Sequence, residues 1–500
     1  MSTAVSERSA VRLERTAGRR LDWTLIVAPT VTLVLMLWGI GNSAYWGDEA
    51  DTVSAVSRSV PQLFRMLGHI DAVHGLYYLL LWPVAAVAGT GEFATRFPSA
   101  LAMAAAALGT TAIARRLVSR RAGLCAGLVF AVLPTVSAQG QDARPYAMST
   151  AAAVLSSYLF VRIIQDPQRR WFVGYGLSLV LLGYFHLFGL LLVAAHVVTL
   201  IGLGRRHRAT GDRPFGSARS WLVTFAAVGV AMVPLLMLGW EQRVAIAWIT
   251  KPGWVATVGA AQLLTDGSTV SMVVLGELGV LGILCGARLA PVWPLAPEGT
   301  APDGGRMIGW LAVPWLVLPP AILLAASEIM PVYYPRYITY CLPAVALLVG
   351  CGLAALRLPV RAVVFALVLA LAVPAQLELR VPNQGMLAAS RFLSAHEKPG
   401  DAWVYPLQLI PPWQQAYPEG FGSLRDIGQS QTAAAAGRLY ATAVPSAVLK
   451  QRELSVHRIW VVGADRYVKN PVNDINPAFH LVHKWALQGH LTVWLYVRNS

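Results

Sequence analysis

The sequence predicts an α-helical polytopic membrane protein with a small C-terminal α/β domain. The chain of 500 residues is 56% hydrophobic and only 13% charged, and its mean hydropathy is +0.54, well outside the range of ordinary soluble domains. Apolar stretches of roughly 17–25 residues recur from Leu21 to Gln376, and each could cross a ~30 Å hydrocarbon core as a helix. After residue 383 polar residues and Pro/Gly turns return, with strand-like runs such as Trp403–Tyr405, Ile459–Val462 and Leu491–Leu495.

The positive charge of the chain indicates its orientation in the membrane. The net charge of +15 comes from arginines in short blocks between apolar stretches, which is the positive-inside pattern and not the footprint of a nucleic-acid binder. We therefore expect the blocks and the N-terminal segment 1–21 to be cytoplasmic, in a multi-pass protein of the plasma membrane. The blocks are Arg8–Arg20, Arg115–Arg121, Arg162–Arg170, Arg205–Arg219, and Arg357 with Arg361.

The number of membrane crossings between cytoplasmic blocks decides whether one ambiguous apolar segment spans the membrane. An even number of crossings must separate two cytoplasmic blocks, yet three apolar stretches lie before Arg115. Leu76–Ala88 has about a dozen apolar residues and contains Pro83, so we predict that it is a non-spanning helix at the interface. Eleven spans remain, at about 22–41, 96–115, 122–140, 146–164, 171–186, 187–204, 220–240, 269–288, 307–328, 337–356 and 361–378.

This topology divides the chain into three parts. Residues 1–21 form a cytoplasmic segment, and residues 22–380 form the membrane domain, with juxtamembrane helices on the outer face over 50–90. Residues 381–500 form an extracytoplasmic α/β domain. The first apolar stretch, Trp23–Ile40, is long and lacks a clear cleavage site, so we expect it to remain as the first span.

Several mechanisms lack their sequence signature. Neither a G-x-x-x-x-G-K-[ST] loop nor a G-x-G-x-x-G turn after a strand occurs, which argues against phosphate-fuelled transport and against a Rossmann-type nucleotide-sugar site. The four cysteines, Cys125, Cys285, Cys341 and Cys351, lie inside apolar stretches and offer no disulfide or metal framework.

Acidic residues and histidines gather just after the first span. Asp48, Glu49 and Asp51 emerge on the outer face, where carboxylates either bind something or stay solvated. Further along the chain, His69, Asp71 and His74 lie within a stretch of six residues. They are metal ligands by type, but their spacing fits no established motif, so ordinary hydrogen bonding is favoured and a divalent metal is left open.

Arginines are expected on the same outer face. Pro145 should break the helix after Arg144 and expose both Arg144 and Asp142. Arg336 lies beside Tyr337 between two later spans. Guanidinium groups at the lipid boundary suit a lipid-linked phosphate, although snorkelling in an aromatic belt is the alternative. His186, where two spans turn outside, is a further phosphate donor by type, although a structural role is the commoner one.

Together these segments resemble the bacterial branch of the protein O-mannosyltransferase and aminoarabinose transferase superfamily, membrane glycosyltransferases of the type C fold. The similarity runs from about Trp46 to Tyr337. One departure is that relatives usually have His-Pro-Pro where this chain has His74-Gly75-Leu76, so the acceptor side is expected to differ. The segments on which the resemblance rests are Asp48-Glu49, Asp71–Leu80, Arg96–Leu101, Gln141–Ala147 and Pro335–Tyr337.

The resemblance implies a polyprenyl-phosphate sugar donor and inverting transfer to an acceptor hydroxyl on the outer side. It also implies an acidic base in the first outer loop, for which Asp48 is our choice because a carboxylate at the interface can take the hydroxyl proton. Glu49 and Asp142 are expected beside it. We expect Arg336, Arg144, His186 and Tyr337 near the donor phosphate, and Asp71, His74 and Tyr77 near the acceptor.

The sequence does not identify the sugar or the acceptor. Mannose is the default sugar of the family, and arabinofuranose is the main rival for an alanine- and arginine-rich composition of the kind common in actinobacteria. The acceptor is a glycan, a glycolipid or a protein. A lipid-sugar flippase would need polar residues near the bilayer midplane, where the spans have little besides Glu277. A non-catalytic membrane scaffold is the third alternative.

Overall fold

A computed structural model gives the fold of the chain. It describes residues 22–208, 215–264, 268–289, 304–405, 409–410, 412–464, 475–488 and 491–499. The predicted cytoplasmic segment 1–21 and part of the Arg205–Arg219 block lie outside the described residues.

Helices dominate the described residues up to 380, in agreement with the predicted membrane bundle. Short 3₁₀ turns over residues 72–74, 187–191, 243–246 and 335–341 connect some of them. The helices are α1 (Thr24–Leu37), α2 (Gly47–Val56), α3 (Val60–Leu67), α4 (Gly75–Ala88), α5 (Glu92–Leu117), α6 (Arg120–Val132), α7 (Pro134–Gly140), α8 (Tyr146–Gln165), α9 (Arg169–Phe185), α10 (Leu192–Arg208), α11 (Ala218–Glu241), α12 (Trp254–Leu264), α13 (Thr269–Leu289), α14 (Gly304–Ile329), α15 (Leu342–Ala355) and α16 (Leu358–Glu378).

Seven segments within the described residues are long and apolar enough to cross a membrane, and an eighth results if α6 and α7 are one broken span. These two helices bend by 66° at Pro134, because proline lacks the N–H that would continue the helical ladder. The other predicted spans fall on helices that miss this length test: α1 has 14 residues, α9 has 17, and the apolar part of α13 is Val270–Leu284. A multi-pass protein is confirmed, while the number of eleven stays a prediction. The seven are Glu92–Leu117, Tyr146–Gln165, Leu187–Arg205, Ala218–Glu241, Met307–Ile329, Pro335–Ala355 and Leu358–Glu378.

The segment Pro335–Ala355, which ends with helix α15, lies at the centre of the bundle, and 94% of its most apolar 18 residues are buried. Gly350 permits this, because a Cβ there would lie 2.4 Å from the backbone of Ala126 in α6. On its other side, a Cβ at Gly352 would lie 2.1 Å from the carbonyl oxygen of Leu278 in α13. Small residues at such crossings let the backbones approach closely, which is how helices associate in lipid.

The two ends of the bundle differ in composition. At one end Arg115 pairs with Asp22 at 2.5 Å, and Arg116 donates to Gln165. At the other end lie α2, α3 and α4, the predicted juxtamembrane helices. Helix α4 has 14 residues, fewer than a full span requires. The non-spanning assignment of Leu76–Ala88 stays a prediction that this length favours.

The C-terminal region forms a small α/β domain, as the sequence predicted. Helix α17 (Gly385–His396) precedes a five-stranded mixed sheet of order β3-β1-β6-β8-β7 and a three-stranded sheet of order β2-β5-β4. Strand β1 pairs in parallel with β3 and β6, whereas β8 is antiparallel to β6 and β7. The strands are β1 (Ala402–Val404), β2 (Leu409–Ile410), β3 (Arg425–Asp426), β4 (Gln429–Gln431), β5 (Ala441–Ala443), β6 (Arg458–Ala464), β7 (Phe479–Leu487) and β8 (Leu491–Arg498). Short helices α18 (Trp413–Ala416), α19 (Ala433–Ala436) and α20 (Ser446–Glu453) lie between strands.

This domain packs on the end of the bundle that carries α2 and α3. The Tyr417 hydroxyl accepts a hydrogen bond from the Tyr45 backbone N–H at 2.6 Å and donates to Glu92 Oε1 at 2.8 Å. Arg58 Nη2 donates to the carbonyl oxygen of Arg438 at 2.7 Å. The α/β domain is therefore tied to the segment after α1, to the start of α5 and to α2's C-terminal end.

Candidate functional site

A buried ion pair fixes the start of α2. The Glu49 carboxylate accepts hydrogen bonds from Arg96 Nε at 2.7 Å and Nη2 at 2.6 Å, and a third from the Ala143 N–H at 2.8 Å. Arg96 Nη1 also donates to the carbonyl oxygens of Ile40 and Ser43. Glu49 is only 1% exposed, so its carboxylate joins the end of α1, the start of α2 and the loop after α7.

Asp48, the preceding residue, is the accessible acid. Its side chain is 33% exposed, and its Oδ2 lies 3.2 Å from Arg336 Nη1 and 3.9 Å from Arg144 Nη2. Consecutive helical residues point about 100° apart, so Asp48 faces the opening while Glu49 faces the core. A carboxylate thus stands between two guanidinium groups.

Aromatic rings surround Arg336. Its guanidinium carbon lies 4.5 Å from the centre of the Trp46 ring, 4.6 Å from that of Tyr334 and 5.8 Å from that of Tyr146, distances at which cation–π attraction operates. Its Nε is buried and has no hydrogen-bond partner among the described residues. The rings hold the charge in place and leave hydrogen-bonding capacity for a ligand.

Arg144 belongs to a network that starts at Asp71. Its Nη2 donates to His74 Nε2 at 3.2 Å, and because a guanidinium can only donate, Nε2 must accept. The imidazole proton is then on Nδ1, which donates to Asp71 Oδ1 at 2.7 Å. The Tyr78 hydroxyl donates to Asp71 Oδ2 and lies 3.4 Å from Arg144 Nη1.

The carboxylate that supports this network is unusual in two respects. Burial alone would raise the pKa of Asp71, but His74, Arg144 and the Tyr78 hydrogen bond hold it well below its usual range. Its φ is 65°, and it is the only non-glycine residue with positive φ among those that the structure describes. Such a backbone is tolerated where the surroundings enforce it, as functional sites often do.

Asp142 supports Trp46. The indole Nε1 of Trp46 donates to Asp142 Oδ1 at 3.1 Å. Burial, together with the charge of nearby Glu49, raises the pKa of Asp142 to about 7. Asp142 therefore orients the ring on which Arg336 lies.

Asp51, to which the sequence analysis gave no role, connects the site to the α/β domain. Its Oδ2 accepts a hydrogen bond of 3.3 Å from the hydroxyl of Tyr440. Burial, with a smaller contribution from Asp71 and Asp48, raises the pKa of Asp51 to about 8. A side chain from the C-terminal domain thus reaches the edge of the site.

The remaining predicted residues differ in position. His186 is buried, with its ring centre 5.1 Å from Tyr337 and 5.7 Å from Tyr146. His186 and Tyr337 therefore adjoin the aromatic surround of Arg336. Tyr77 is fully buried in the core, whereas its neighbour Tyr78 is the one that joins the network.

The structure offers no metal-ligand set in the part of the chain that it describes: no group of three or more His, Cys, Asp or Glu side chains there could hold a metal ion. His69 turns away from the other two candidates and contacts the Arg65 carbonyl oxygen at 2.7 Å. Asp71 and His74 instead satisfy each other and Arg144.

The predicted proximity of the Asp48/Glu49 and Asp142/Arg144 segments is confirmed, since Arg144 Nη1 donates to the Asp48 carbonyl oxygen at 3.2 Å. The sequence analysis assigned no role to Trp46, Tyr78, Arg96, Tyr146 or Tyr440. A signal existed for Arg96, because an arginine within an apolar stretch needs a buried partner.

A multi-pass helical bundle with an arginine–carboxylate site at one end, covered by a small α/β domain, defines a membrane protein of the type C glycosyltransferase fold. The chain is similar in structure to ArnT from Cupriavidus metallidurans in the apo state, with a TM-score of 0.60, 14% identity, and coverage of 94% of this chain and 97% of that chain. For the same protein bound to undecaprenyl phosphate the TM-score is 0.60 at 14% identity, with 96% and 98% covered.

In sequence, a profile of dolichyl-phosphate-mannose-protein mannosyltransferases matches residues 76–230. No curated protein matches the chain. The likeness to ArnT therefore establishes the fold.

Proposed function

We propose that the protein is a glycosyltransferase that moves a sugar from a polyprenyl-phosphate donor to an acceptor hydroxyl. The observation that carries the proposal is the position of Asp48, an accessible carboxylate between the guanidinium groups of Arg144 and Arg336. The fold shared with ArnT supports it, since one of those structures contains undecaprenyl phosphate.

The arginines suit the leaving group. As the glycosidic bond breaks, negative charge grows on the lipid phosphate, and fixed cations stabilise that charge most effectively in a site with little water. Arg336 has a free Nε, and Arg144 is held by His74. Both can present N–H groups to phosphate oxygens without reorganising.

Asp48 suits the base. The acceptor hydroxyl loses its proton as its oxygen attacks the anomeric carbon, and the sugar leaves the phosphate with inversion. A carboxylate can take that proton. Glu49, whose carboxylate accepts hydrogen bonds from Arg96 and from the Ala143 N–H, fixes the start of α2, and Asp142 orients Trp46.

Other predicted residues receive supporting roles in this proposal. His186 and Tyr337 lie beside the aromatic surround of Arg336 and would line the donor side. Asp71 and His74 hold Arg144 from the opposite side, so their position favours orienting the arginine over direct contact with an acceptor. Tyr77 is buried too deeply to be our choice for that contact.

We further propose that the site faces the extracytoplasmic side of the plasma membrane. The arginine-rich ends of α5, α8 and α9 lie opposite the site, and such ends stay in the cytoplasm. Mannose is our first choice of sugar, supported by the profile that matches residues 76–230. Arabinofuranose is the alternative, and the acceptor is a glycan, glycolipid or protein.

The experiment compares Asp48→Asn with the unaltered protein, using membranes supplied with labelled polyprenyl-phosphate mannose or arabinofuranose. Asparagine keeps the shape of the side chain but is not basic, so we expect transfer to fall by ~10²–10⁴-fold while donor binding is retained. Glu419→Gln, an exposed site in the α/β domain, is the control. Near-normal transfer by Asp48→Asn at saturating donor would show that Asp48 is not the base.

A second variant separates the base from the phosphate clamp. Arg336→Ala should weaken donor binding as well as transfer, because a phosphate partner is lost. Arg243→Ala is its control, since Arg243 also lies on an aromatic ring, 4.7 Å from that of Trp240, but makes no contact with Asp48. Unaltered protein that translocates labelled lipid-sugar without transferring it would instead indicate a flippase.

A further inference from the structure

A groove opens on the surface of the bundle between α9 and α11, far from the site. Its volume is about 670 Å³, within the range of ligand pockets. Its floor is apolar, and Gly176 lets the helices approach, since a Cβ there would lie 3.3 Å from Thr224 Cγ2. The apolar lining includes Val173, Leu177, Val180, Val223 and Ala227.

Two arginines, Arg169 and Arg219, stand at one end of this groove. Both are exposed, and neither makes an ion pair or hydrogen bond with a described residue. The neighbouring arginines are engaged: Arg115 pairs with Asp22, while Arg162 lies over the Trp171 ring at 4.0 Å. Within the described residues, the groove thus combines an apolar floor with two positive charges that no ion pair compensates.

Helix direction adds to the positive potential. Arg169 is the first residue of α9 and Arg219 the second of α11, so the N-terminal ends of both helices point to the same mouth. The backbone N–H groups of a first helical turn attract anions. The positive charge at the mouth and the apolar surface of the floor therefore match the headgroup and the acyl chain of an anionic lipid.

We propose that this groove binds an anionic glycerophospholipid of the surrounding membrane. Its phosphate would contact Arg169 and Arg219, and an acyl chain would lie along the floor. Basic pockets between transmembrane helices recognise anionic headgroups in this way. A zwitterionic lipid would leave the two charges without net compensation.

The sugar donor is a less suitable occupant. Helix α9 has 17 residues, which places its two ends about 25 Å apart. Arg169 lies at one end, and His186, beside the aromatic residues near Arg336, follows the other. A donor phosphate held by Arg336 cannot also reach Arg169, so the groove is a second lipid site.

Occupancy would stabilise the two helices that support the site. Helix α11 ends next to Gln242, whose side chain accepts from the Ala72 N–H at 2.9 Å and donates to the Leu67 carbonyl oxygen at 2.8 Å. Helix α9 ends next to His186. The lipid would thus brace both helices at the ends opposite these contacts.

The test uses the purified full chain with bound lipid measured by native mass spectrometry. Phosphatidylglycerol and phosphatidylcholine with identical acyl chains are offered separately. We expect the protein to prefer phosphatidylglycerol. The double variant Arg169→Gln/Arg219→Gln should bind it about thirtyfold more weakly, from the typical contribution of two basic residues at a membrane surface.

The control is Arg121→Gln/Arg357→Gln, which removes the same charge from the same end of the bundle but outside the groove. Its preference should stay that of the unaltered protein. A second variant, Val223→Trp, fills the floor while keeping both arginines and should also reduce retention.

Equal retention of the two lipids by the unaltered protein would overturn the proposal, as would an unchanged preference in the Arg169/Arg219 variant. Polyprenyl phosphate that binds through these arginines in preference to phosphatidylglycerol would show that the donor occupies the groove. Because the experiment measures lipid retention, a failure of the lipid-binding proposal is independent of any result on sugar transfer.

Discussion

The guanidinium group of Arg96 holds the Glu49 carboxylate through two hydrogen bonds of 2.7 and 2.6 Å. Both side chains are almost completely buried, Arg96 at 4% and Glu49 at 1% exposure. A buried ion pair of this kind stabilises the fold only while both partners are present, because either partner alone is a buried charge without compensation.

We expect Glu49→Gln to destabilise the fold by about 3–5 kcal/mol, the typical cost of breaking a buried pair. Glutamine can still accept from the Ala143 N–H but leaves Arg96 uncompensated. Thermal unfolding of the purified protein measures the effect, and Glu419→Gln in the α/β domain is the exposed control. A variant with unaltered stability but no sugar transfer would point instead to a direct role of Glu49 in the reaction.

A second prediction compares two histidines five residues apart. His74→Ala should raise the donor KM, because Arg144 loses the acceptor that orients it. His69→Ala should behave like the unaltered protein, since the His69 ring hydrogen-bonds to the Arg65 carbonyl oxygen and not to Arg144. Donor KM and kcat are measured for both variants. Equal effects would refute the proposed support of Arg144 by His74.

The third prediction concerns pH. Burial raises the pKa of Asp51 to about 8 from an ordinary value of 3.8. The folded protein therefore keeps a proton there that the unfolded chain releases. The stabilisation is complete below the ordinary value, declines as pH rises above it, and is lost by the time the pH has passed the folded pKa.

Asp51→Asn removes this titration, so the Tm of the variant should depend less on pH between about pH 4 and about pH 8. Tyr440, Arg144, Asp71 and Asp48 act on the same carboxyl and are unchanged in the variant. Thermal scans of both proteins across this interval provide the measurement. Parallel curves would mean that Asp51 is ionised throughout.

The fourth prediction tests the proposed orientation. A cysteine at Ser119, between α5 and α6 at the arginine-rich end, should react only with reagents on the cytoplasmic side. A cysteine at exposed Asn42, near the site, is the counterpart and should react only from outside. Labelling of both Ser119 and Asn42 from outside would make Leu76–Ala88 a span, whereas labelling of Ser119 from outside and of Asn42 from inside would reverse the orientation.

The fold was largely predictable because composition determines it. Long apolar stretches in lipid leave helices as the solution, and the return of polar residues after 383 marks the α/β domain. The position of the site was predictable as well, since charged residues at a membrane surface are costly and few. The break at Pro134 was not foreseen, because the apolar pattern continues through it.

Which of two neighbouring residues faces the opening of the site was less predictable. Asp48 and Glu49 are neighbours of the same charge, and only the rotation of α2 decides which one faces the opening. The same holds for Tyr77 and Tyr78 on α4. Tyr440 reaches Asp51 from a distance of 389 residues along the chain, which no local pattern encodes.

The ion pairs of Asp48 have a kinetic consequence. In the empty site Asp48 Oδ2 lies 3.2 Å from Arg336 Nη1 and 3.9 Å from Arg144 Nη2, so that oxygen is already engaged and is not free to accept a hydroxyl proton. A donor phosphate competes for the same guanidinium groups and so releases Asp48 only when it arrives. Under the proposed function, substrate binding is then ordered, donor before acceptor, and an acceptor that enters first meets a base that is still occupied.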